Sequence, residues 1–234
     1  MSVGTIVKKY TTLFFDLDDT LIDFQKSESN AIKKVLKKFE LPSNDENVKL
    51  YSKINLSYWK KYEIGEIEKS EIFINRFITF LSELGYSRNP EELNKYYFSM
   101  LSQEYPLIDG ALAVLKNARN NGLKICITTN GYSYTQFRRI KESRIGDYTD
   151  FIIISEDAGF QKPEKGYFDY AMNKCGEVDR KRILIIGDSQ SSDISGAINS
   201  NIDSCWYNPK GQKANYHSKY EIKKLIELYD VLGI

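Results

Sequence analysis

The chain has 234 residues, of which 41% are hydrophobic and 28% are charged. That length allows one large α/β domain or a domain with a sizeable insertion, and the composition is that of an ordinary soluble globular protein rather than a disordered one. Lysine and arginine number 33 against 32 aspartate and glutamate residues. This balance gives no electrostatic reason to expect a nucleic acid polymer or an anionic membrane as a partner.

The rarer residues exclude several kinds of site. Cys126, Cys175 and Cys205 are widely spaced and form no CxxC pair, which predicts reduced, buried thiols rather than disulfides or a zinc site. His217 is the only histidine and lies far from any nucleophile-like sequence context, so we expect neither a histidine-based triad nor a multi-histidine metal site. No segment has the signal-peptide pattern or the roughly 18 apolar residues of a transmembrane helix. We therefore expect a cytoplasmic protein, either a monomer or a homodimer.

In chain order, the first predicted element is a β-strand over Thr12–Leu17. The stretch that follows, roughly 22–106, has almost no strand character. Within it, apolar side chains recur every four residues between Leu50 and Tyr62, as they do on one face of a helix. We predict that this stretch is an insertion of about four helices after the first strand.

From Leu107 onward, short apolar runs alternate with segments of helical character. Continuous apolar strands separated by helices are typical of a parallel sheet covered on both faces. The pattern predicts an α/β protein with a Rossmann-like parallel-sheet core over 1–21 and 107–234 and an inserted helical domain over 22–106. The predicted strands here are Lys124–Thr129, Phe151–Ile154, Arg182–Gly187 and Ser204–Tyr207, and the predicted helices lie near 110–121, 133–144, 165–176, 191–200 and 219–232.

Three of the predicted strands run directly into polar residues. In an open parallel sheet, ligands bind at the carboxyl ends of the strands, so we expect these polar side chains to converge on one site. Because most of them are carboxylates, the site should be strongly acidic. The residues are Asp16 and Asp18 after the first strand, Thr129 and Asn130 at the second, and Asp188 followed by Asp193 at a third.

The acidic residues of this set predict a metal site. Asp16, Asp188 and Asp193 offer oxygen ligands with no histidine or cysteine nearby, which suits a hard cation such as Mg²⁺. Asp18 lies two residues beyond Asp16, so on an extended chain the two side chains face the same way. Asp18 can therefore act as a general acid and base beside a carboxylate nucleophile.

The other polar residues suit a phosphate group. Thr129 supplies a hydroxyl, and Asn130 and Gly131 can offer backbone N–H groups to phosphate oxygens. Lys162 follows another predicted strand and supplies a fixed positive charge. A carboxylate nucleophile, a hydroxyl, a lysine and Mg²⁺ form a suitable set for phosphoryl transfer, which depends mainly on positioning and charge stabilisation.

At this point the chain resembles the haloacid dehalogenase superfamily of phosphohydrolases. The resemblance covers essentially the whole chain, with a helical cap inserted after the first motif. It rests on four motifs in that family's order: DLDDT at 16–20, Thr129 in ITTNG, Lys162 in FQKP, and GDSQSSD at 187–193.

The resemblance implies a role for each acidic residue. Asp16 would be the nucleophile and a Mg²⁺ ligand, and Asp188 the other carboxylate ligand. Asp18 would be the acid and base, with its backbone carbonyl on the metal. Asp193 would be a second or a water-mediated ligand. The dehalogenases themselves lack the second aspartate, so Asp18 argues against dehalogenation.

A narrower resemblance points to the pyrimidine 5′-nucleotidase branch of that superfamily, whose members dephosphorylate nucleoside monophosphates. It implies a small-molecule phosphate ester as the substrate and no macromolecular one. The segments that carry it are WKKYEIGEI at 59–67, the Arg76-Phe77 pair, ISEDAGFQKP at 154–163, FDYAM at 168–172 and SCWYNP at 204–209.

Other functions fit part of the pattern. A phosphatase or phosphomutase acting on a sugar phosphate would need the same catalytic groups. A receiver-like signalling module also uses an acidic cluster, a hydroxyl and a lysine around Mg²⁺, but it carries no long insertion after its first strand. A calcium loop starting at Asp16 is excluded, because its sixth residue is Leu21 rather than glycine and its twelfth is Ser27 rather than glutamate.

Some of these residues also have purely structural interpretations. Asp193 lies in the first turn of a predicted helix, where the helix dipole favours a carboxylate. Thr129 could cap the helix that follows it. Arg76 is expected to be an exposed helical arginine. Aromatic residues at helical spacing could stack on a nucleobase but are more often part of a helical core; they are Tyr58, Trp59, Tyr62 and Phe98.

Overall fold

The computed structural model describes residues 9–234, which form two compact units. The sheet unit comprises the described residues up to Ile22 together with Leu107–Gly131 and Arg144–Ile234. The helical unit comprises Asp23–Pro106 and Tyr132–Ser143. The second segment of the helical unit lies outside the helical domain that the sequence predicts. That the units are a catalytic core and a cap domain stays a prediction.

The sheet unit contains a six-stranded sheet in the order β3-β2-β1-β4-β5-β6, with every neighbouring pair parallel. The predicted α/β fold with a parallel sheet is confirmed. The strands are β1 (Thr12–Phe15), β2 (Lys124–Thr129), β3 (Phe151–Ile154), β4 (Ile183–Gly187), β5 (Asp203–Tyr207) and β6 (Tyr220–Ile222).

Ten α-helices are assigned in the described residues. The helical unit contains α1 (Phe24–Lys38), α2 (Asp45–Glu63), α3 (Lys69–Leu84), α4 (Pro90–Leu101) and α6 (Ser133–Glu142). The sheet unit contains α5 (Ala111–Asn120), α7 (Ser155–Ala158), α8 (Lys165–Cys175), α9 (Ser195–Asn199) and α10 (Leu228–Leu232), with a π-helical turn over Gln190–Ile194 and 3-10 turns over Ile145–Tyr148, Arg180–Arg182 and Leu225–Glu227.

The order of the strands brings the three polar strand ends together. β1 is central and pairs with β2 on one side and β4 on the other, so the strands that carry the motifs are neighbours. All residues of β1 and β4 are buried, as expected of central strands covered on both faces. Phe15, the last residue of β1, lies beside Ile127 of β2 and Ile186 of β4. The residues that follow therefore leave the sheet at one edge.

The helical unit begins its helices with side-chain caps. Asp23 accepts a hydrogen bond from the backbone N–H of Lys26, Asn44 caps α2 in the same way, and Asn89 caps α4 ahead of Pro90. Helix α3 ends at Gly85, whose positive φ of 69° closes the helix in the left-handed conformation. The predicted four helices of the insertion are confirmed.

Arg76 is buried in the helical unit, with 1% of its surface exposed. Its Nη1 donates to Asn55 Oδ1 and its Nη2 to Asn94 Oδ1, both at 2.8 Å. Asn55 in turn donates to Glu28 Oε1 at 2.6 Å, and the guanidinium lies 4.7 Å from the ring centre of Tyr97. The prediction of an exposed arginine is therefore wrong: α3 turns this residue to the same side as the buried aromatic residues.

The last predicted helix differs from the structure. The sequence predicts a helix over 219–232, but the chain forms the edge strand β6 at Tyr220–Ile222 before a 3-10 turn and α10. The pattern KYEIKKLIEL has a helical period, yet pairing with β5 stabilises three of its residues as a strand. The first strand also ends at Phe15, two residues earlier than predicted.

Two predictions from composition can be compared with the structure. Cys126, Cys175 and Cys205 are all buried and none forms a disulfide, as predicted. Across residues 9–234, no helix combines the length and the apolar character that crossing a membrane requires.

Candidate active site

Asp16 is the first residue after β1 and is held at the carboxyl edge of the sheet. Its N–H donates to the Ile186 carbonyl of β4 at 2.9 Å, which continues the pairing of the two strands by one residue. Its Oδ1 accepts from Lys162 Nζ at 2.7 Å, and its Oδ2 accepts from the Thr20 hydroxyl at 2.9 Å. The carboxylate is buried and both of its oxygens have fixed partners.

Asp16, Asp188 and Asp193 form one cluster. Each offers a carboxylate oxygen, and these oxygens lie within 4.8 Å of one another. Three carboxylates and the Lys162 ammonium leave a formal charge of −2, which a divalent cation would balance. An all-oxygen donor set of this kind fits a hard cation such as Mg²⁺. The structure thus brings together the three side-chain carboxylates that the sequence predicts as metal ligands.

Lys162 is the buried cation of the site. Its Nζ donates to Asp16 Oδ1 and Asp193 Oδ1, each at 2.7 Å, and to the Thr128 carbonyl at 3.1 Å. All three ammonium hydrogens therefore have acceptors. Burial alone would lower the pKa of Lys162, but the two carboxylates outweigh it and hold this pKa well above its ordinary value. Lys162 is a permanent positive charge at neutral pH.

Burial and mutual repulsion raise the pKa of two carboxylates of the cluster, Asp16 and Asp188. Burial raises the pKa of Asp16 to about 7; the Lys162 ammonium opposes this shift and the Asp193 carboxylate adds to it. Burial raises the pKa of Asp188 well above its ordinary range, and the charge of Asp16 adds to this effect. A bound cation would favour the deprotonated form of both groups. We therefore expect cation binding to release protons.

The backbone around Asp188 is fixed from three sides. The Asp188 N–H donates to the Thr20 hydroxyl at 3.1 Å, and the Asp188 carbonyl accepts from the indole N–H of Trp206 at 2.8 Å. The next N–H, that of Ser189, donates to Asp193 Oδ2 at 3.1 Å. Thr20 also bonds Asp16, so one hydroxyl joins the two acidic segments.

Gly187 leaves the space that Asp193 occupies. A Cβ added at Gly187 would lie 2.2 Å from Asp193 Oδ2, too close for any side chain. We expect Gly187→Ala to displace the Asp193 carboxylate from Lys162 and to lower the free energy of unfolding by about 1–3 kcal/mol, the usual cost of overpacking. Thermal unfolding measures this. Gly176→Ala is not a suitable control, because Gly176 has a φ of 66° and any side chain there would be strained. The wild type is therefore the reference. An unfolding midpoint equal to that of the wild type would contradict the expected clash.

The residues predicted to bind phosphate lie at the end of β2. Thr129 is buried, and its hydroxyl accepts from the Gly131 N–H at 3.0 Å. The Asn130 side chain bonds the backbone of Lys162 in both directions, each at 2.9 Å. Asn130 therefore holds the backbone of Lys162 in place. The Gly131 N–H, which the sequence predicts as a phosphate donor, is bonded to the Thr129 hydroxyl. Phosphate binding by Thr129, Asn130 and Lys162 stays a prediction.

Asp18 lies beyond the end of β1, in the loop that follows Asp16. It is partly exposed and forms an isolated β-bridge with Ile22. Burial is the main cause of the raised pKa of Asp16, and the negative charge of Asp18 adds a smaller increase. The two carboxylates therefore lie close enough to interact. Its roles as acid, base and carbonyl ligand stay predictions.

The structure adds two site residues to which the sequence assigned no role. Thr20 stands in the DLDDT motif, four residues after Asp16, and that spacing was the available signal. Trp206 lies beside Gly187 in the register of β4 and β5. No sequence pattern indicates that its N–H meets the Asp188 carbonyl, because the contact depends on the register in which β4 and β5 pair.

The chain is similar to known proteins over most of its length. The haloacid dehalogenase-like hydrolase family matches residues 13–207. The HAD-hydrolase YfnB of Bacillus subtilis is 36% identical over 97% of both chains, and its crystal structure bound to magnesium superposes with a TM-score of 0.91, covering 97% of this chain and 100% of that one.

Two further relatives have named activities. The pyrimidine 5′-nucleotidase YjjG of Escherichia coli is 31% identical over 96% of this chain and 98% of its own. A glyceraldehyde 3-phosphate phosphatase of Pyrococcus abyssi is 30% identical over 83% of this chain and 80% of its own. The chain belongs to the haloacid dehalogenase-like hydrolase family, and it is a phosphoric monoester hydrolase of that family.

Proposed function

We propose that this protein is a Mg²⁺-dependent 5′-nucleotidase that hydrolyses nucleoside monophosphates, pyrimidine nucleotides in particular, through an aspartyl phosphate on Asp16. One observation carries the proposal. Asp16 lies at the carboxyl edge of the sheet, and one of its carboxylate oxygens lies within 4.8 Å of a carboxylate oxygen of Asp188 and of Asp193. The Asp16 carboxylate is also paired with the buried ammonium of Lys162. This proximity supports the proposal that Asp16 is the nucleophile, that Lys162 balances its charge and that the three carboxylates bind the cation.

In the first step, an Asp16 oxygen attacks phosphorus and the bond from phosphorus to the nucleoside 5′-oxygen breaks. Asp18 donates a proton to that leaving oxygen. In the second step, Asp18 takes a proton from water, the water oxygen bonds phosphorus, and the bond from phosphorus to Asp16 breaks. Inorganic phosphate leaves and the carboxylate is restored.

The remaining residues position these groups. Lys162 and Thr20 fix the two oxygens of Asp16, which limits the rotation of its carboxylate. Lys162, Thr129 and Asn130 would hold the phosphate. Mg²⁺, held by Asp16, the Asp18 carbonyl, Asp188 and Asp193, would neutralise charge on the phosphoryl oxygens.

The nucleotide assignment rests on similarity over the whole chain. YjjG aligns over 96% of this chain, which includes the helical unit, whereas the glyceraldehyde 3-phosphate phosphatase aligns over 83%. Both relatives match at about the same identity, 31% and 30%. A small sugar phosphate is therefore the second candidate substrate, and the same experiment has to separate the two.

We expect phosphate release from pyrimidine nucleoside monophosphates to proceed with a kcat/KM at least about 10-fold above that for sugar phosphates, a difference of about 1.4 kcal/mol in transition-state stabilisation. A panel of purine and pyrimidine monophosphates and sugar phosphates, assayed with Mg²⁺, measures this ratio. If sugar phosphates are hydrolysed with a kcat/KM equal to that for nucleotides, the nucleotidase proposal is wrong and only the assignment as a phosphatase remains.

Removal of the cation gives a separate prediction. With excess EDTA we expect phosphate release to fall to background, because three clustered carboxylates would then repel the phosphate anion. Added Mg²⁺ should restore the activity, and added Na⁺ at the same ionic strength is the control. Full activity in EDTA would contradict the proposed metal dependence.

A further inference from the structure

Trp206 is buried in the sheet unit yet carries one polar group, its indole N–H. Only 1% of the residue is exposed. The N–H donates to the carbonyl of Asp188 at 2.8 Å, a well-formed, partly buried hydrogen bond. A buried indole N–H needs an acceptor, but the acceptor here is the backbone of a proposed metal ligand rather than part of the surrounding core.

The contact follows from the strand register. Trp206 of β5 lies beside Gly187, the last residue of β4. Asp188 is therefore the first residue beyond the paired segment, where the chain would otherwise leave the sheet without partners. Its N–H is bonded to the Thr20 hydroxyl and its carbonyl to Trp206. Each of its two backbone polar groups has a side-chain partner.

These two bonds restrict the direction in which the Asp188 side chain leaves the backbone. Rotation of either neighbouring peptide would break one of these bonds and leave a polar group without its side-chain partner. The Asp188 carboxylate is therefore presented to Asp16 and Asp193 by a fixed backbone. Such support of a metal ligand raises affinity because the ligand is ordered before the cation arrives.

We infer that Trp206 is a positioning residue for cation binding: its indole N–H holds the Asp188 peptide so that the carboxylate faces the cation. This inference rests on the proposed function, because it takes the cluster of Asp16, Asp188 and Asp193 to be a Mg²⁺ site. In this role Trp206 acts through the Asp188 peptide and not through direct contact with the cation or the substrate.

The test is Mg²⁺ affinity, measured by isothermal titration calorimetry on the full chain without substrate. Trp206→Phe keeps an aromatic ring but has no N–H, and we expect its Kd for Mg²⁺ to rise by about 10-fold to 100-fold. Trp59→Phe makes the same chemical change at the other tryptophan of the chain, in the helical unit, and should bind Mg²⁺ as the wild type does. A purely structural role would lower the unfolding temperature of Trp206→Phe without changing this Kd, and that result would overturn the inference.

A second measurement avoids dependence on how well Trp206→Phe folds. In Trp59→Phe, Trp206 is the only tryptophan, so its fluorescence reports the Asp188 peptide directly. The peptide is already in place before the cation binds, but the charge of the bound cation acts on the indole through the Asp188 carbonyl, so we expect the emission to change on titration with Mg²⁺, with the midpoint that calorimetry gives. Constant emission through saturation would overturn the inference. If the wild type neither binds Mg²⁺ nor requires it for hydrolysis, the proposed function itself fails, whereas normal binding with unaffected variants refutes the role of Trp206 alone.

Discussion

Replacement of Asp16 by asparagine is expected to reduce phosphate release by at least about 10³-fold, because loss of a catalytic nucleophile leaves only the contribution of binding and charge stabilisation. The substitution keeps the size of the side chain, and an amide oxygen can still accept from Lys162. The amide nitrogen can donate to the Thr20 hydroxyl, which the carboxylate now accepts from. The fold should therefore persist.

The matched control is Asp19→Asn, which makes the same change three residues further along the chain. Asp19 has a positive φ of 58°, a conformation that asparagine adopts readily, so this variant should fold without strain. We expect Asp19→Asn to retain most of the activity. Initial rates at saturating Mg²⁺ and thermal unfolding should be measured on both variants. Substantial turnover by Asp16→Asn would remove Asp16 from the role of nucleophile.

Replacement of Arg76 by methionine is expected to lower the free energy of unfolding by about 3–5 kcal/mol, the range seen when one member of a buried charged network is removed. Methionine fills a similar space, but the acceptor oxygens of Asn55 and Asn94 would lose their donors in the interior. Glu28, linked to Arg76 through Asn55, would lose the nearby positive charge. The unfolding midpoint should fall by about 10 °C.

Arg88→Met is the control for Arg76→Met. Arg88 also lies in the helical unit, but it is exposed and donates to the backbone carbonyls of Phe39, at 3.2 Å, and Ser87, at 2.9 Å. We expect this variant to remain within about 0.5 kcal/mol of wild type. Thermal unfolding followed by circular dichroism compares the two. Equal stability of the two variants would show that the buried network contributes little.

The strands and the acidic site were predictable because their signals are local. β1, β2 and β4 are apolar runs that end in polar residues, and a parallel sheet places such ends at one edge. Lys162 was predictable from its position after a strand, although its contacts with Asp16 and Asp193 were not.

The burial of Arg76 was missed because its residue type was given more weight than its position on the helix. Arg76 lies four residues after Ile72 and four before Phe80, both fully buried, so its helical position indicated an inward side chain. Its charge suggested the surface. The prediction of a helix at β6 was wrong for a different reason. The sequence there has a helical period, and pairing with β5 makes it a strand.

The division of the chain has a consequence for protein engineering. The backbone passes between the sheet unit and the helical unit four times, because Tyr132–Ser143 returns to the helical unit after β2. In that segment Tyr132 stacks near Phe98, with ring centres 4.7 Å apart, and Arg139 Nε donates to the Glu104 carbonyl at 3.0 Å. A chimera that exchanges only the long insertion with a relative would therefore combine mismatched surfaces, and a well-packed graft has to carry both segments from the same donor.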